Sequence, residues 1–256
     1  MRGDLVSFKM LVVSGIEAER NLLRECAAKA AFPVDFAEAA NPGDTAAVCG
    51  SLTRDTPDFV FVDSRLHKNH RQAVYQTALQ TRSRPLVILV GLADLVAREL
   101  ALADPTADAL LTRPFEAAHA NAMINLCARA RLPKQVLVVD DSANVRAVVR
   151  KVLQASRFRL EVEEAPDGAS AIEKVAGRRF DFVLLDCNLP GVDGFATLDR
   201  LKRTQQDLAV VMTTSVRDAQ LNDRARAAGA GDLLFKPFYA QDIDAMLGRL
   251  LGLVVE

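Results

Sequence analysis

The chain has 256 residues, of which 50% are hydrophobic and 25% charged, and its 32 basic and 33 acidic residues give a formal net charge of −1. This composition excludes an intrinsically disordered chain, and the near-neutral charge gives no reason to expect nucleic acid or an anionic membrane as a partner. A single core seldom grows much beyond this length, so two domains of about 125 residues each are expected.

The opening residues and the cysteines indicate a cytoplasmic protein. Asp4 and Lys9 interrupt the opening sequence MRGDLVSFKMLVV, which therefore lacks the apolar core of a signal peptide. No apolar run in the sequence approaches the length of a membrane span. The cysteines show no CxxC spacing, so reduced thiols are expected at Cys26, Cys49, Cys127 and Cys187.

Short apolar runs alternate with helical patterns along the chain. In chain order, the runs are Leu11–Val13, Phe59–Val62, Leu86–Val90, Val136–Val139, Phe182–Leu185 and Val210–Met212. Near-continuous apolar strands are typical of a parallel sheet that is covered on both faces. Between them lie helical stripes such as Val145, Val148, Val149, Val152 and Leu153. The alternation predicts a doubly wound α/β structure, whose functional site lies at the carboxyl ends of the strands.

The second half of the chain repeats the first. The segment TPDFVFVD, ending at Asp63, reappears as RFDFVLLD, ending at Asp186, a shift of 123 positions that also relates LLTRPF (110–115) to LLFKPF (233–238). Upstream, MLVVS (10–14) matches VLVVD (136–140) at a shift of 126. Three matched blocks in order predict a duplicated domain with a short insertion in the second copy. We place the domains at 1–131 and 134–256, joined by a short basic linker (131–134) outside any strand.

Five polar residues follow the strands of the second half. They are Asp140 and Asp141 after the first strand, Asp186 after the third, Thr214 after the fourth and Lys236 after the fifth. Carboxylates this close raise each other's pKa, and a divalent cation relieves the conflict. Mg²⁺ prefers carboxylate oxygens together with water and a phosphate. The pattern therefore predicts a site where Asp186 acts as a nucleophile in phosphoryl transfer, with Lys236 and Thr214 holding phosphoryl oxygens.

Each piece of this pattern also has a simpler explanation. A pair of aspartates after a strand is often a helix N-cap with a solvated neighbour, and Lys-Pro is often a plain turn. The presence of all five residues in order favours the site.

The second half resembles a response-regulator receiver domain of two-component signalling. The matching segments are VLVVDDS (136–142) with Arg146, APDG (165–168), DCNLPGVDG (186–194), Thr214–Ser215 and KPF (236–238). The resemblance implies a flavodoxin-like (βα)5 fold and a phosphoacceptor at Asp186. It also implies that Asp141, Asp186 and the backbone carbonyl of Asn188 coordinate Mg²⁺ or Mn²⁺, and that Asp140 acts through water. Lys236 would then hold a phosphoryl oxygen, and Thr214 would swing inward on phosphorylation.

Three positions leave a question open or depart from the family. Thr213 and Thr214 are neighbours, and the spacing from Asp186 favours Thr214 as the switch residue. Leu233 stands where the family usually has an aromatic residue. Cys187 adjoins the acceptor, and because side chains alternate along a strand we expect it to be a structural thiol on the opposite face.

The first half keeps the strands but loses most of the site. At the repeated positions Ser14 and Gly15 replace the acidic pair, Gly91 replaces the threonine and Arg113 replaces the lysine, while Asp63 remains. Without the acidic pair we expect metal affinity to be lost, and Arg113 to pair with Asp63. This half is predicted to be a pseudo-receiver, retained as an interaction surface.

His67 and His70 are three positions apart, which invites a metal interpretation. No third ligand lies nearby in the sequence, so a solvated loop or a first helical turn is predicted instead.

Together these features predict a two-component response regulator with tandem receivers, which catalyses only its own phosphoryl transfer and dephosphorylation. The donor would be a sensor histidine kinase or a histidine phosphotransfer protein. Because the sequence ends at Val254–Glu256, we expect no output domain and signalling through contact with a downstream protein, or through a homodimer. Two alternatives are an N-terminal regulatory fragment of a longer effector enzyme, such as a nucleotide cyclase, and a phosphorylation-independent adaptor.

Overall fold

The structure is a computed structural model that describes residues 6–39, 41–92, 107–190 and 193–253. The chain forms two compact units: the first comprises residues 1–131 and, of the described residues at the end of the chain, 251–253, and the second comprises Leu132–Leu250. Residues 1–5, 40 and 93–106 of the predicted first domain lie outside the described residues. So do residues 191–192, in the loop after Asp186, and residues 254–256.

The first unit is a parallel five-stranded sheet with helices between its strands. Its elements are β1 (Phe8–Val13), α1 (Glu17–Ala28), β2 (Val34–Glu38), α2 (Thr45–Asp55), β3 (Phe59–Asp63), α3 (Lys68–Gln80), β4 (Leu86–Leu92), β5 (Ala109–Arg113) and α4 (Ala117–Arg131). The strand order is β2-β1-β3-β4-β5. This order places β1 and β3 side by side within the sheet, so their carboxyl ends meet.

The second unit has the same architecture. Its elements are β6 (Lys134–Val139), α5 (Ala143–Gln154), β7 (Leu160–Ala165), α6 (Gly168–Gly177), β8 (Phe182–Asp186), α7 (Gly194–Thr204), β9 (Ala209–Thr214), α8 (Ala219–Ala227), β10 (Asp232–Phe235) and α9 (Ala240–Leu250). The strands are parallel, in the order β7-β6-β8-β9-β10. The predicted fold class, two doubly wound flavodoxin-like domains, is therefore confirmed.

The central strands explain why the apolar runs were readable from the sequence. Every residue of β3 and of β8 is buried, because helices cover both faces of each sheet. The helix that follows the second strand begins in the same way in both units. Asp44 caps α2 by accepting hydrogen bonds from the Ala46 and Ala47 amides, and Asp167 caps α6 by accepting one from the Ser170 amide.

Three details differ from the sequence-based expectation. The starts of β1 and β3 are 51 positions apart (8 to 59), whereas those of β6 and β8 are 48 apart (134 to 182). The extra residues are therefore in the first copy and not in the second. Lys134 is not linker, because β6 begins there and pairs with β7. Val148, assigned to the buried stripe of α5, is 61% exposed.

None of the helices in the described part of the chain combines the length and the apolar character that a membrane crossing requires.

Candidate functional site

The carboxyl edge of the second sheet gathers the predicted polar residues. Asp140 follows β6, Asp186 and Thr214 are the last residues of β8 and β9, and Lys236 follows β10. Asp140 and Asp186 are only 3% and 7% exposed, and Thr214 is fully buried. Adjacent parallel strands end at this edge, so residues far apart in sequence become neighbours.

Three carboxylates form the centre of this cluster. Oxygen atoms of Asp140, Asp141 and Asp186 lie within 4.8 Å of one another. Asp140 and Asp186 are buried, whereas Asp141 is exposed. In the part of the chain that the structure describes, no other three His, Cys, Asp or Glu side chains approach one another so closely. Because hard divalent cations prefer oxygen ligands alone, this donor set fits Mg²⁺ or Mn²⁺.

Lys236 bridges two of the three carboxylates. Its Nζ atom lies 2.6 Å from Oδ2 of Asp140 and 3.0 Å from Oδ1 of Asp186. Burial disfavours the ammonium form, but the hydrogen bonds to Asp140 and Asp186 outweigh it, so the pKa of Lys236 is raised above its ordinary value. A fixed cation therefore stands beside the Asp186 carboxylate at every physiological pH.

Thr214 is packed inside the unit. Its hydroxyl oxygen accepts a hydrogen bond of 3.0 Å from the Val216 amide, and its backbone carbonyl accepts one of 2.7 Å from the Lys236 amide. Thr213 is also buried and lies in register with Asp186. Thr214 is already fully buried, and its inward movement on phosphorylation stays a prediction. Any response of Thr214 must be a shift within a packed environment.

Cys187 and Leu233 belong to the apolar core of the unit. Cys187 is 7% exposed and packs in the same core cluster as Leu185 and Met212. Burial and the neighbouring Asp186 charge raise the pKa of the Cys187 thiol to about 11, so it stays protonated at neutral pH. Leu233 packs in this cluster too. An aliphatic side chain therefore occupies the position of the family's aromatic residue.

Gly194 allows helix α7 to start directly against the acceptor strand. A Cβ atom at this position would lie 2.5 Å from the backbone oxygen of Asp186 and 2.8 Å from that of Cys187. Contacts this short are prohibitive, so only glycine fits without a backbone shift. The preceding residue, Asp193, caps the helix by accepting a hydrogen bond from the Phe195 amide.

In the first unit, arginines surround Asp63, the residue that matches Asp186 in the repeat. Asp63 is 2% exposed, and its Oδ1 lies 2.9 Å from Nη2 of Arg113, as predicted. Arg65 lies on the other oxygen, with Nη2 3.0 Å from Oδ2. Burial opposes ionisation, but the hydrogen bonds from Arg65 and Arg113 outweigh it, so the pKa of Asp63 is below its ordinary value. This carboxylate is ionised and paired at neutral pH.

Glu19 completes this cluster, and sequence reasoning missed both it and Arg65. The Glu19 carboxylate pairs with Arg113 through two hydrogen bonds, of 2.6 and 2.7 Å. Applying the shifts of 126 and 123 to the sequence, Glu19 corresponds to Val145 and Arg65 to Asn188. The available signal was therefore the appearance of an acidic and a basic residue, Glu19 and Arg65, at two positions that are uncharged in the second copy.

The two histidines have different surroundings. His67 is exposed and caps α3 by accepting a hydrogen bond from the Asn69 amide, which agrees with the prediction of a first helical turn. His70 lies in the first turn of α3, as predicted, and is buried there. Burial lowers the pKa of His70 below its ordinary value, and a neutral ring is expected at neutral pH.

Comparison with known proteins places this geometry among signalling domains. The family model described as "Response regulator receiver domain" matches residues 136–248. The chemotaxis protein CheY of Bacillus subtilis (strain 168) is 30% identical over 118 residues, which cover 46% of this chain and 98% of that protein.

Longer relatives match over the same share of the chain. The response regulator MprA of Mycobacterium sp. (strain KMS) is 33% identical over 120 residues, 47% of this chain and 51% of MprA. The chain thus spans about half the length of the first curated relatives that it matches. A solved structure described as a "probable two-component system response regulator/GGDEF domain protein" has a TM-score of 0.50 and 19% identity, over 96% of this chain and 98% of that one. This likeness supports the fold of both units.

Proposed function

Because this chain belongs to the response regulator receiver family, we propose that its second domain (134–256) accepts a phosphoryl group on Asp186 and that its first domain (1–131) does not. The observation that carries the proposal is the contact of Lys236 with both Asp140 and Asp186, beside a third carboxylate from Asp141. The matched position in the first unit holds Arg113, and the acidic pair is absent there.

The two oxygens of Asp186 have different surroundings. Oδ1 is held by Lys236 at 3.0 Å, while no hydrogen bond from the described residues reaches Oδ2. We assign Oδ2 as the nucleophile. Its attack on the phosphorus of a phosphohistidine forms an O–P bond as the P–N bond breaks, and the electron pair of that bond stays on the imidazole. Lys236 then stabilises the negative charge on a phosphoryl oxygen.

Asp141, Asp186 and the backbone carbonyl of Asn188 would hold Mg²⁺ or Mn²⁺, and Asp140 would act through water. When bound, the cation neutralises charge on the carboxylates and on the incoming phosphoryl group. In its absence Lys236 is the cation that keeps Asp140 and Asp186 from repelling each other. The lysine therefore prepares the site before any metal or phosphoryl group arrives.

We propose that the first unit is a pseudo-receiver. An approaching phosphoryl group would have to displace Arg113 and Arg65 from Asp63, and the guanidinium of Arg113 is itself paired with Glu19. The Arg113 pairs with Asp63 and Glu19 are largely buried, and breaking buried ion pairs of this kind costs about 3 kcal/mol or more. The unit thus presents one stable surface rather than a switchable one.

The upstream partner would be a sensor histidine kinase or a histidine phosphotransfer protein. Phosphorylation adds about −1.5 to −2 charge at Asp186, and this charge attracts the side chains of Lys236 and Thr214. Helix α8 and strand β10 follow Thr214, and helix α9 follows Lys236. The exposed rings of Phe235, at the end of β10, and Tyr239, just before α9, lie beside the face that these three elements form. We propose that this face changes its affinity for a downstream protein or for a second copy of the chain.

Binding of beryllofluoride, followed by ¹⁹F NMR, tests the proposal. With Mg²⁺ present, wild type and Asp63→Asn should give a bound fluorine resonance, and Asp186→Asn should give none. A bound resonance that persists in Asp186→Asn and vanishes in Asp63→Asn would contradict the assignment of the two units.

A further inference from the structure

Arg146 holds the backbone of the two residues that carry the acidic pair. Its Nη1 atom donates hydrogen bonds of 2.8 Å to the carbonyl oxygen of Asp140 and 3.3 Å to that of Asp141. Its Nε atom lies 3.0 Å from Oε2 of Glu164. The side chains of Arg146 and Glu164 are only 15% and 21% exposed. The guanidinium is therefore fixed on two sides rather than loosely solvated.

Backbone support matters most for Asp141. The Asp140 carboxylate is held directly, by the Ser142 amide at 2.9 Å and by Lys236 at 2.6 Å. Asp141 is exposed, and no hydrogen bond from the described residues reaches its carboxylate. Among the described residues, the restraint on this carboxylate therefore comes through its backbone. Arg146 restrains this backbone through its hydrogen bond to the Asp141 carbonyl.

Glu164 ties the arginine to the sheet. It lies in β7, in register with Val138 of β6, and it also pairs with Arg150. Two arginines on α5 therefore share one carboxylate on the neighbouring strand. Movement of Glu164 would release the guanidinium of Arg146 from its fixed orientation.

The first unit contains the same network but lacks the acidic pair that the network supports in the second unit. Nη1 of Arg20 donates a hydrogen bond of 2.9 Å to the carbonyl of Ser14, and Arg20 and Arg24 pair with Glu38 at 3.1 and 3.0 Å. Each residue is 126 positions before its counterpart in the second unit. The network thus supports the strand–helix loop in both units. In the second unit alone, that loop carries carboxylates that can act on a cation.

We propose that Arg146, oriented by Glu164, is a positioning residue that sets the Asp140–Asp141 backbone for binding of a divalent cation. This inference rests on the proposed function, because it assigns a second layer of residues to the same site. Loss of outer residues that orient metal ligands typically weakens metal affinity by about 10- to 100-fold. Arg20 should have no such effect, since Ser14 and Gly15 offer no carboxylate.

The test is calorimetric titration of the full chain with Mg²⁺, together with thermal unfolding followed by circular dichroism. Arg146→Gln should weaken Mg²⁺ binding by on the order of 10-fold or more. Glu164→Gln keeps an acceptor but loses the charge, so a smaller weakening is expected. Arg20→Gln is the matched control, because it removes the equivalent bonds from the first unit. It should lower stability comparably and leave Mg²⁺ binding unchanged.

The outcomes separate this inference from the proposed function. A wild-type chain that binds no Mg²⁺ overturns the proposed function, and this inference with it. Wild-type binding that Arg146→Gln leaves unchanged, or that Arg20→Gln weakens as much, overturns the inference alone. If Arg146→Gln fails to fold, Glu164→Gln decides: unchanged Mg²⁺ affinity in that variant overturns the inference, and weakened affinity supports it.

Discussion

Nη2 of Arg113 lies 2.9 Å from Oδ1 of Asp63 in the first unit. In the second unit a lysine nitrogen lies 3.0 Å from the same oxygen of the repeated aspartate, Asp186. The difference is in the second contact of each cation. Arg113 also pairs with Glu19, whereas Lys236 pairs with Asp140, which is itself part of the acidic pair. Arg113 therefore occupies the matched site of the first unit together with Glu19, whereas Lys236 holds two carboxylates of the second site in place.

Removal of Arg113 should destabilise the first unit. Arg113→Ala leaves two largely buried carboxylates, from Asp63 and Glu19, without their shared partner. Breaking a buried pair from one side typically costs about 3 kcal/mol or more. The measurement is urea-dependent amide exchange of peptides that cover β3. Arg54→Ala is the control, since the Arg54–Asp55 pair is exposed and its loss should change stability by less than about 0.5 kcal/mol. Equal effects of the two variants would contradict the interpretation that Arg113 occupies this site.

Acid should weaken the same ion pairs. The pKa of Asp63 is lowered in the folded chain, so its stabilising contribution is fully present above the unfolded pKa and is lost as pH falls through the folded one. The stability difference between wild type and Asp63→Asn should therefore shrink as pH falls from about 5 to 2.5. Urea midpoints of the β3 peptides at a series of pH values measure this difference. A gap that does not change with pH would show that Asp63 is not held ionised by its partners.

Gly194 should be intolerant of a side chain. The Cβ of Gly194→Ala would lie 2.5 Å from the Asp186 carbonyl, so α7 or the end of β8 must shift. We expect a loss of about 1–3 kcal/mol and phosphorylation by acetyl phosphate slower by about 10-fold or more, because the nucleophile is displaced. Gly177→Ala is the matched control, since a methyl group at Gly177 would meet no atom within 4 Å. Normal phosphorylation of Gly194→Ala would show that this close approach does not position Asp186.

The lifetime of the phosphorylated state should depend on Val216. Hydrolysis needs a water in line with the phosphorus, and the approach is flanked by the residues two beyond Asp186 and two beyond Thr214, which are Asn188 and Val216. Asn188 is exposed, and Val216 is 52% exposed and offers no polar group. Val216→Glu should therefore shorten the lifetime by on the order of 10-fold, by supplying a base for the water.

A phosphate-release assay measures this lifetime. Val148→Glu, which adds the same charge at another exposed valine of the unit, should leave it unchanged. An unchanged or longer lifetime in Val216→Glu would place control of water access elsewhere. Thr213 would then be the better candidate for the switch residue, with Ser215 two positions beyond it.

Much of the fold was predictable because buried parallel strands are continuous apolar runs. The predicted run Phe182–Leu185 is β8 without its last residue. The sequence repeat aligned Asp63 with Asp186. Functional sites of parallel sheets lie at the carboxyl ends of the strands, so the sequence also predicted that Asp140 and Lys236 are neighbours. That prediction depends on strand order and not on side-chain conformation.

The remaining contacts depend on side-chain reach and local packing, which periodicity does not encode. Glu19 meets Arg113 across 94 positions, and Arg65 folds back onto Asp63 from only two positions away. The burial of His70 follows from the packing of α3 against its own unit. The second-unit network of Arg146 and Glu164 was hidden for the same reason, although its residues recur in the first unit.

The site of phosphorylation most directly tests the division of roles between the two units. The full chain is treated with acetyl phosphate and Mg²⁺, and intact-mass spectrometry is applied to wild type, Asp186→Ala and Asp63→Ala. We predict one phosphoryl group on wild type and on Asp63→Ala, and none on Asp186→Ala. A phosphoryl group that remains in Asp186→Ala and is lost in Asp63→Ala would contradict this division.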